Sequence, residues 1–134
     1  MKLAVSVLVR RADGKFLVIE RARGTFAEGY WTPVTGRVEP GEAPSAAARR
    51  EVLEETGLEV EVGGELGRTP TEAPPGLANP GYELVWFEAR VVGGDLVLAA
   101  DEVASARWLS LDEALALEPM FETTRRFLSR LVEA

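Results

Sequence analysis

Gly36-Arg37-Val38-Glu39-Pro40-Gly41-Glu42, followed after seven residues by Arg50-Glu51-Val52-Leu53-Glu54-Glu55-Thr56-Gly57-Leu58, is the stretch on which the reading of this chain turns. Pro44 to Thr56 has the composition of one helix. Pro44 suits the first turn, Ser45 offers a local cap, Ala46-Ala47-Ala48 has high helix propensity and Gly57 supplies a stop. At about 100° per residue, Glu51, Glu54 and Glu55 share one helical face. Ala47 and Ala48 fall on that side, so nothing bulky is expected to cover the acids. Ala46 and Leu53 fall opposite and are expected to pack on a sheet. Arg49 points the same way as Leu53, its stem along the packed face and its head reaching water.

Three carboxylates this close repel one another, by about a few tenths of a kcal/mol per pair on an exposed helix and more when desolvated. A hard divalent cation turns that repulsion into a binding site. Such an ion polarises a phosphoryl oxygen and lowers the pKa of a bound water. An acidic helix face taken alone is also what a solvated surface looks like, with Arg49 and Arg50 in ordinary ion pairs.

Working outward, Lys2 to Arg10 alternates and is rich in Val and Leu, which predicts a strand; Arg11-Ala12-Asp13-Gly14 is a turn of the Asp-Gly type, and Lys15 to Glu20 returns as the second strand of a hairpin. Arg21 to Gly29 is a loop, and Tyr30 to Val34 is a short extended piece that Pro33 limits to an irregular strand. Gly36 to Glu42 is a loop. After the helix, Leu58 to Val62 is a strand that Gly63-Gly64 is expected to break. Glu72 to Gly81, with three Pro and two Gly, is a long surface loop, open between a lid and a dimer contact. Tyr82 to Val92 is the strongest strand pattern, and Gly93-Gly94 is expected to turn it into a hairpin with Asp95–Ala99. Val103 to Leu109 is a further strand. Ser110 and Glu113 have the spacing of a capping box opening a helix through Leu117, and Met120 to Val132 is a final amphipathic helix with Phe121, Phe127, Leu128 and Leu131 facing the core. The pattern is mixed α/β, a single domain over residues 1–134 with its sheet between helices.

The chain has no Cys and no His. Disulfides, thiolate nucleophiles, Cys/His zinc sites and Ser-His-Asp triads are thereby excluded. Any metal must be held by oxygen, which points to Mg²⁺, Mn²⁺ or Ca²⁺. The formal net charge of −7 argues against coating nucleic acid, although a divalent cation can still bridge a small polyanion to an acidic site. No apolar run is long enough to cross a bilayer, so no membrane partner is expected. The opening residues read as a strand rather than a secretory leader, and the expected location is the cytoplasm.

The pattern Gly, five residues, Glu, seven residues, Arg-Glu-aliphatic-any-Glu-Glu-any-Gly-aliphatic resembles the Nudix box, and every specified position is filled here between Gly36 and Leu58. The resemblance to the Nudix (MutT-like) superfamily implies an α/β/α sandwich with a mixed sheet, in which the box forms a loop-helix-loop. It implies that Glu51, Glu54 and Glu55 bind Mg²⁺ or Mn²⁺, with the Gly36 carbonyl as a further ligand. It places Arg50 and Glu42 beside the ligands, Arg50 orienting a carboxylate; a plain surface salt bridge is the alternative for Arg50. Gly36 and Gly57 are expected to have conformational reasons to be glycine. Asp101 or Glu102 is the candidate acid from outside the box, with Glu54 or Glu102 taking the proton.

Substrate contacts are less legible. Arg10, Arg21, Arg23 and Arg37 are candidates for phosphate contacts, each equally readable as surface. Phe26, Tyr30, Trp31 and Trp86 are candidates to stack on a base or pterin, although each reads first as core or rim. The resemblance implies hydrolysis of a nucleoside diphosphate linked to a moiety X, or of a nucleoside or pterin triphosphate. The rival is a catalytically weak nucleotide-binding regulatory module on the same fold. A homodimer is left open.

Overall fold

The computed structural model describes residues 2–133. Among them run seven strands and three helices: β1 (Lys2–Arg10), β2 (Phe16–Arg21), β3 (Trp31–Thr32), β4 (Val34–Arg37), α1 (Pro44–Thr56), β5 (Leu58–Pro70), β6 (Tyr82–Gly94), β7 (Val103–Leu109), α2 (Leu111–Leu115) and α3 (Glu122–Glu133). β1 is central. It runs parallel to β6, which pairs antiparallel with β5. On its other side β1 pairs antiparallel with β4 from Ala4 to Val7, and meets β2 at Arg10. β2 carries β3 and β7. The sheet therefore divides beside β1, and the chain crosses the division at Pro33, which has no N–H to give a ladder.

Alternation along β1 builds two cores. Val5, Val7 and Val9, together with Leu17 and Ile19, face α1 and share a core with its Val52. Leu8 faces the other way, into a layer of Phe16, Val18, Trp31 and Trp86 closed by Phe127 and Leu128 of α3. This is the expected α/β/α sandwich with a mixed sheet. No helix among the described residues is long and apolar enough to cross a membrane.

α1 has the predicted ends, and Gly57 closes it in the left-handed conformation, φ 74°. Its faces are the reverse of those expected. Ala47, Ala48, Val52, Glu55 and Thr56 are buried, whereas Leu53 is 52% exposed and Ala46 lies outside. The acidic face itself leans on the sheet. Arg49 is exposed and needs no buried stem. Ser45 does not cap the helix: Ala43 is the N-cap, with no side-chain bond.

Other expectations shift. β4 runs through Gly36 and Arg37, which were expected in a loop. Gly63-Gly64 does not end β5; the strand bulges there and continues to Pro70. Asp95–Ala99 forms no hairpin. Val97 N–H and Ala99 N–H instead donate to the carbonyls of Thr56 and Glu55, which the helix terminus leaves without intrahelical partners. The Ser110–Glu113 capping box is present, but α2 stops at Leu115 and α3 starts at Glu122. Phe127 and Leu128 are buried as expected, Phe121 and Leu131 only half-buried.

Candidate active site

Glu51 lies against β4. A Cβ added at Gly36 would stand 2.0 Å from the Glu51 Cδ, so Gly36 is glycine to admit that carboxyl group, not for its backbone angle. Only Gly57 of the two has the conformational reason. One helical turn on, Glu55 is 4% exposed. Its Oε1 accepts from Arg21 Nη1 at 3.1 Å, and its Oε2 is buried with no partner. Burial, first, and the neighbouring Glu51 push the Glu55 carboxyl up to about 8, against the pull of Arg21. Glu51 is raised too, by burial, with Arg50 opposing. Two carboxyl groups are thus packed together in a poorly solvated place, and below about pH 8 Glu55 keeps its proton beside Glu51.

Arg50 organises the rest. Its Nε and Nη2 donate to both oxygens of Glu42 at 2.8 and 2.9 Å, a bidentate fork. Nη1 donates to Glu51 at 2.9 Å and Glu54 at 3.2 Å, and Nη2 also reaches the Arg37 carbonyl at 2.9 Å. This is more than a surface salt bridge. The Arg50 fork, with the Glu39 N–H, holds the Glu42 carboxyl down at about 2. Glu54, one turn from Arg50, is exposed to the cleft.

Arg21, at the end of β2, donates through Nη2 to Glu102 at 3.1 Å. The Ala22 N–H donates to the Glu102 carbonyl, which fixes the turn before β7. Residues from three distant segments therefore meet in one open cleft of about 860 Å³: Glu51, Glu54 and Glu55 from α1, Arg37 from β4, and Asp101 and Glu102 from the turn before β7. A second cavity of about 290 Å³ adjoins it under α3 and shares Arg21, Phe26, Gly36 and Arg37 with it.

Some predicted contacts lie elsewhere. Arg10 is paired with Glu88 and with the Gly14 carbonyl at 2.8 Å, away from the cleft. Arg23 is exposed and lines neither cavity. Trp31 is 7% exposed, packed in the α3-side core with Arg107 over its ring at 4.8 Å. Trp86 is wholly buried, stacked on Phe127 and donating to Thr69 Oγ1 at 2.9 Å. Tyr30 stacks on Phe121 at 4.4 Å. Of the aromatic candidates, Phe26 stands at both cavities. Ser6, Thr32 and Glu72 line the smaller cavity and were not singled out from the sequence; a Ser between Val5 and Val7 was the available signal.

The family model described as NUDIX domain matches residues 1–131. The chain belongs to the Nudix hydrolase family. It is 31% identical to the NAD-capped RNA hydrolase NudC of Stutzerimonas stutzeri, over 97% of this chain and 44% of that protein. It is 34% identical to the protein of the same name from Deinococcus radiodurans, over 93% of this chain and 43% of that protein. The chain thus spans less than half the length of these curated relatives. Among solved structures, the MutT protein from Methanosarcina mazei Go1 superposes with a TM-score of 0.85 at 28% identity, covering 98% of this chain and 93% of that one.

Nudix hydrolases generally use a divalent metal. Among the described residues no three acids converge as they stand on an ion position, because Arg50 draws Glu51 and Glu54 while Arg21 draws Glu55. The donor set nevertheless fits a hard cation. All donors are oxygens, Glu51 and Glu55 are packed side by side, and Glu55 Oε2 is a buried oxygen with nothing to bind.

Proposed function

We propose that this chain is a Mg²⁺- or Mn²⁺-dependent pyrophosphohydrolase of small nucleotide-like substrates, working in the cytoplasm. It would cleave the linkage in a nucleoside diphosphate joined to a moiety X, or in a nucleoside or pterin triphosphate. One observation carries this reading: the Glu51–Glu55 pair, with Glu55 Oε2 buried and unpartnered, opens onto a cleft also holding Arg37, Glu54 and Glu102.

Glu51, Glu54 and Glu55, with the Gly36 carbonyl, are the residues that would hold the ion. The metal supplies charge neutralisation on the diphosphate and a more acidic water. Arg50 fixes the rotamers of Glu51 and Glu54 while Glu42 fixes Arg50. Glu54, exposed to the cleft, takes a proton from the attacking water, with Glu102 as the alternative acceptor. Water oxygen bonds to one phosphorus, the bridging P–O bond breaks, and the leaving oxygen keeps the electron pair. Arg37 at the cleft wall is placed to meet phosphate oxygens. Arg21, which lines both cavities, acts as a positioning residue through its pairs with Glu55 and Glu102.

The curated relatives are named for NAD-capped RNA, in which a diphosphate joins two nucleosides. The net charge of −7 favours a small substrate over a long RNA. The test is a panel of ADP-ribose, diadenosine polyphosphates, nucleoside and pterin triphosphates and NAD-capped RNA, assayed with Mg²⁺ and with chelator. Metal-dependent phosphate-bond cleavage of a small member is expected. Chelator-resistant turnover, or none across the panel, overturns the reading.

A further inference from the structure

Lys2, Arg37 and Tyr82 emerge on one face of the sheet. Lys2 is paired with Tyr82 across β1 and β6, and Arg37 with Ala4 across β1 and β4. Directly opposed residues share a face, and so do Lys2 and Ala4, two apart on one strand. The Lys2 Nζ stands 5.6 Å from the centre of the Tyr82 ring, and the Arg37 Cζ 5.4 Å. The ring attracts each cation, but two cations on one ring repel each other. No carboxylate relieves them: among the described residues neither Lys2 nor Arg37 is in an ion pair. That is unexpected in a chain with 22 acidic and 15 basic residues. Arg10, Arg11, Arg68 and Arg90 each have a carboxylate. The two cations border a groove of about 560 Å³ that Glu39 and Glu42 also line. Both acids are committed to Arg50, Glu42 through both oxygens and Glu39 at 3.8 Å. Arg37 and Glu39 line the acid cleft as well, so the groove opens off the cleft beside Arg37.

We infer that Lys2 and Arg37, braced on Tyr82, form a second anion site that takes a phosphate beyond the diphosphate held at the acid cleft. The inference rests on the diphosphate reading of that cleft and adds a substrate class to it. The substrate carries a further phosphate, either the end of a polyphosphate chain or a phosphodiester that follows the nucleoside. Arg37 presents its N–H donors in a planar fork, so it can touch the phosphate at the acids and the next one along. Lys2 does not line the cleft, so the group it meets lies outside the cleft. The Tyr82 ring holds both cations in place without neutralising them. A carboxylate in its position would hold them equally well and cancel their pull on an anion.

The test uses the intact chain in chelator, so it does not depend on turnover. Titration calorimetry measures the binding of tripolyphosphate and of the 5′-phosphorylated dinucleotide pApA. Tighter binding of tripolyphosphate names a polyphosphate end as the source, and tighter binding of pApA names a phosphodiester. Lys2→Ala is expected to weaken the tighter ligand by roughly threefold to tenfold. Lys15→Ala removes the same charge from a lysine beside Glu113, outside the groove, and is expected to leave binding as it is. Tyr82→Leu, which removes the brace, is expected to weaken binding by about threefold or more. Tyr82→Phe keeps the ring and is expected to bind as the parent does, which separates loss of the brace from loss of the fold. No binding of either ligand overturns the inference. So does a Lys2→Ala effect no larger than that of Lys15→Ala, or a Tyr82→Leu protein that binds as the parent does. Metal-dependent hydrolysis of the substrate panel tests the acid cleft separately, and its outcome does not depend on this site.

Discussion

Arg21 and Glu55 are joined by a single hydrogen bond, Nη1 to Oε1 at 3.1 Å, and the second oxygen of Glu55 faces no donor at all. An arginine at the end of β2 half-satisfies a carboxyl buried by a helix on the far side of the sheet division. The other half is what a cation would supply.

This arrangement sets a pH dependence for the metal-free protein. Below about pH 4.5, the ordinary value, Glu55 is protonated folded or unfolded. Between there and about 8 the unfolded chain releases the proton while the folded chain keeps it, so stability falls as pH rises and levels off above about 8. Melting temperatures in chelator across pH 5 to 8 (roughly the span of this shift) should decline, and Glu55→Gln should flatten that decline. Saturating Mg²⁺ should also flatten it in the unmodified protein, because the ion takes the place of the proton. A decline that persists unchanged in the Gln variant would show that another group is responsible.

Arg50 and Glu42 give the opposite slope. Glu42 is held at about 2 by the Arg50 fork and the Glu39 N–H, so its contribution is complete above about 4.5 and is lost as pH falls toward 2. Arg50→Lys keeps the charge and loses the fork. It is expected to lower kcat by roughly 10- to 100-fold through misplaced Glu51 and Glu54, with a smaller change in KM. Steady-state kinetics that show a raised KM with kcat intact would assign Arg50 to substrate binding instead.

Gly36 admits the Glu51 carboxyl, so Gly36→Ala forces that side chain away. The expected cost is about 1–3 kcal/mol of stability, with a weakened response of the melting temperature to Mg²⁺. Gly57→Ala should cost stability by a different route: its φ is 74°, and a Cβ would meet the Asp95 carbonyl at 2.5 Å. A Gly36→Ala protein that melts and responds to Mg²⁺ as the parent does would place Glu51 elsewhere.

Trp86 is a core residue, not a stacking platform for substrate. Trp86→Phe leaves Thr69 Oγ1 without its donor and should cost about 1–3 kcal/mol in denaturant unfolding. Turnover per folded molecule should be unchanged. A selective rise in KM would return Trp86 to the substrate site.

The helix, its glycine stop and its three acids were legible in the sequence because propensity, turn chemistry and spacing agree over a short span. Which face of α1 turns inward was not. Ala46, Ala47 and Ala48 present small side chains all round, so a single Leu53 suggested the packed face, whereas Val52 with Ala47 and Ala48 decides it. Gly63-Gly64 looked like a strand end because a bulge and a break use the same residue type. Asp95–Ala99 looked like a returning strand, but the open carbonyls of α1 claim its N–H groups. The meeting of Arg21, Glu55 and Glu102 depends on the pairing of β2 with β7, a long-range register that local pattern does not carry. The same holds for Ser6 and Thr32, which share a cavity only because the sheet divides beside β1.

Glu54→Gln and Glu55→Gln should each reduce kcat by about 10²–10⁴ under saturating Mg²⁺. The more direct measurement is of the ion itself. Crystals soaked in Mn²⁺ and measured at an anomalous wavelength are expected to show a manganese peak coordinated by Glu51 and Glu55, with Oε2 of Glu55 as a ligand and Arg21 still on Oε1 or displaced from it. A fully soaked crystal with no manganese at that pair, and the two carboxyl groups unchanged, would contradict the account.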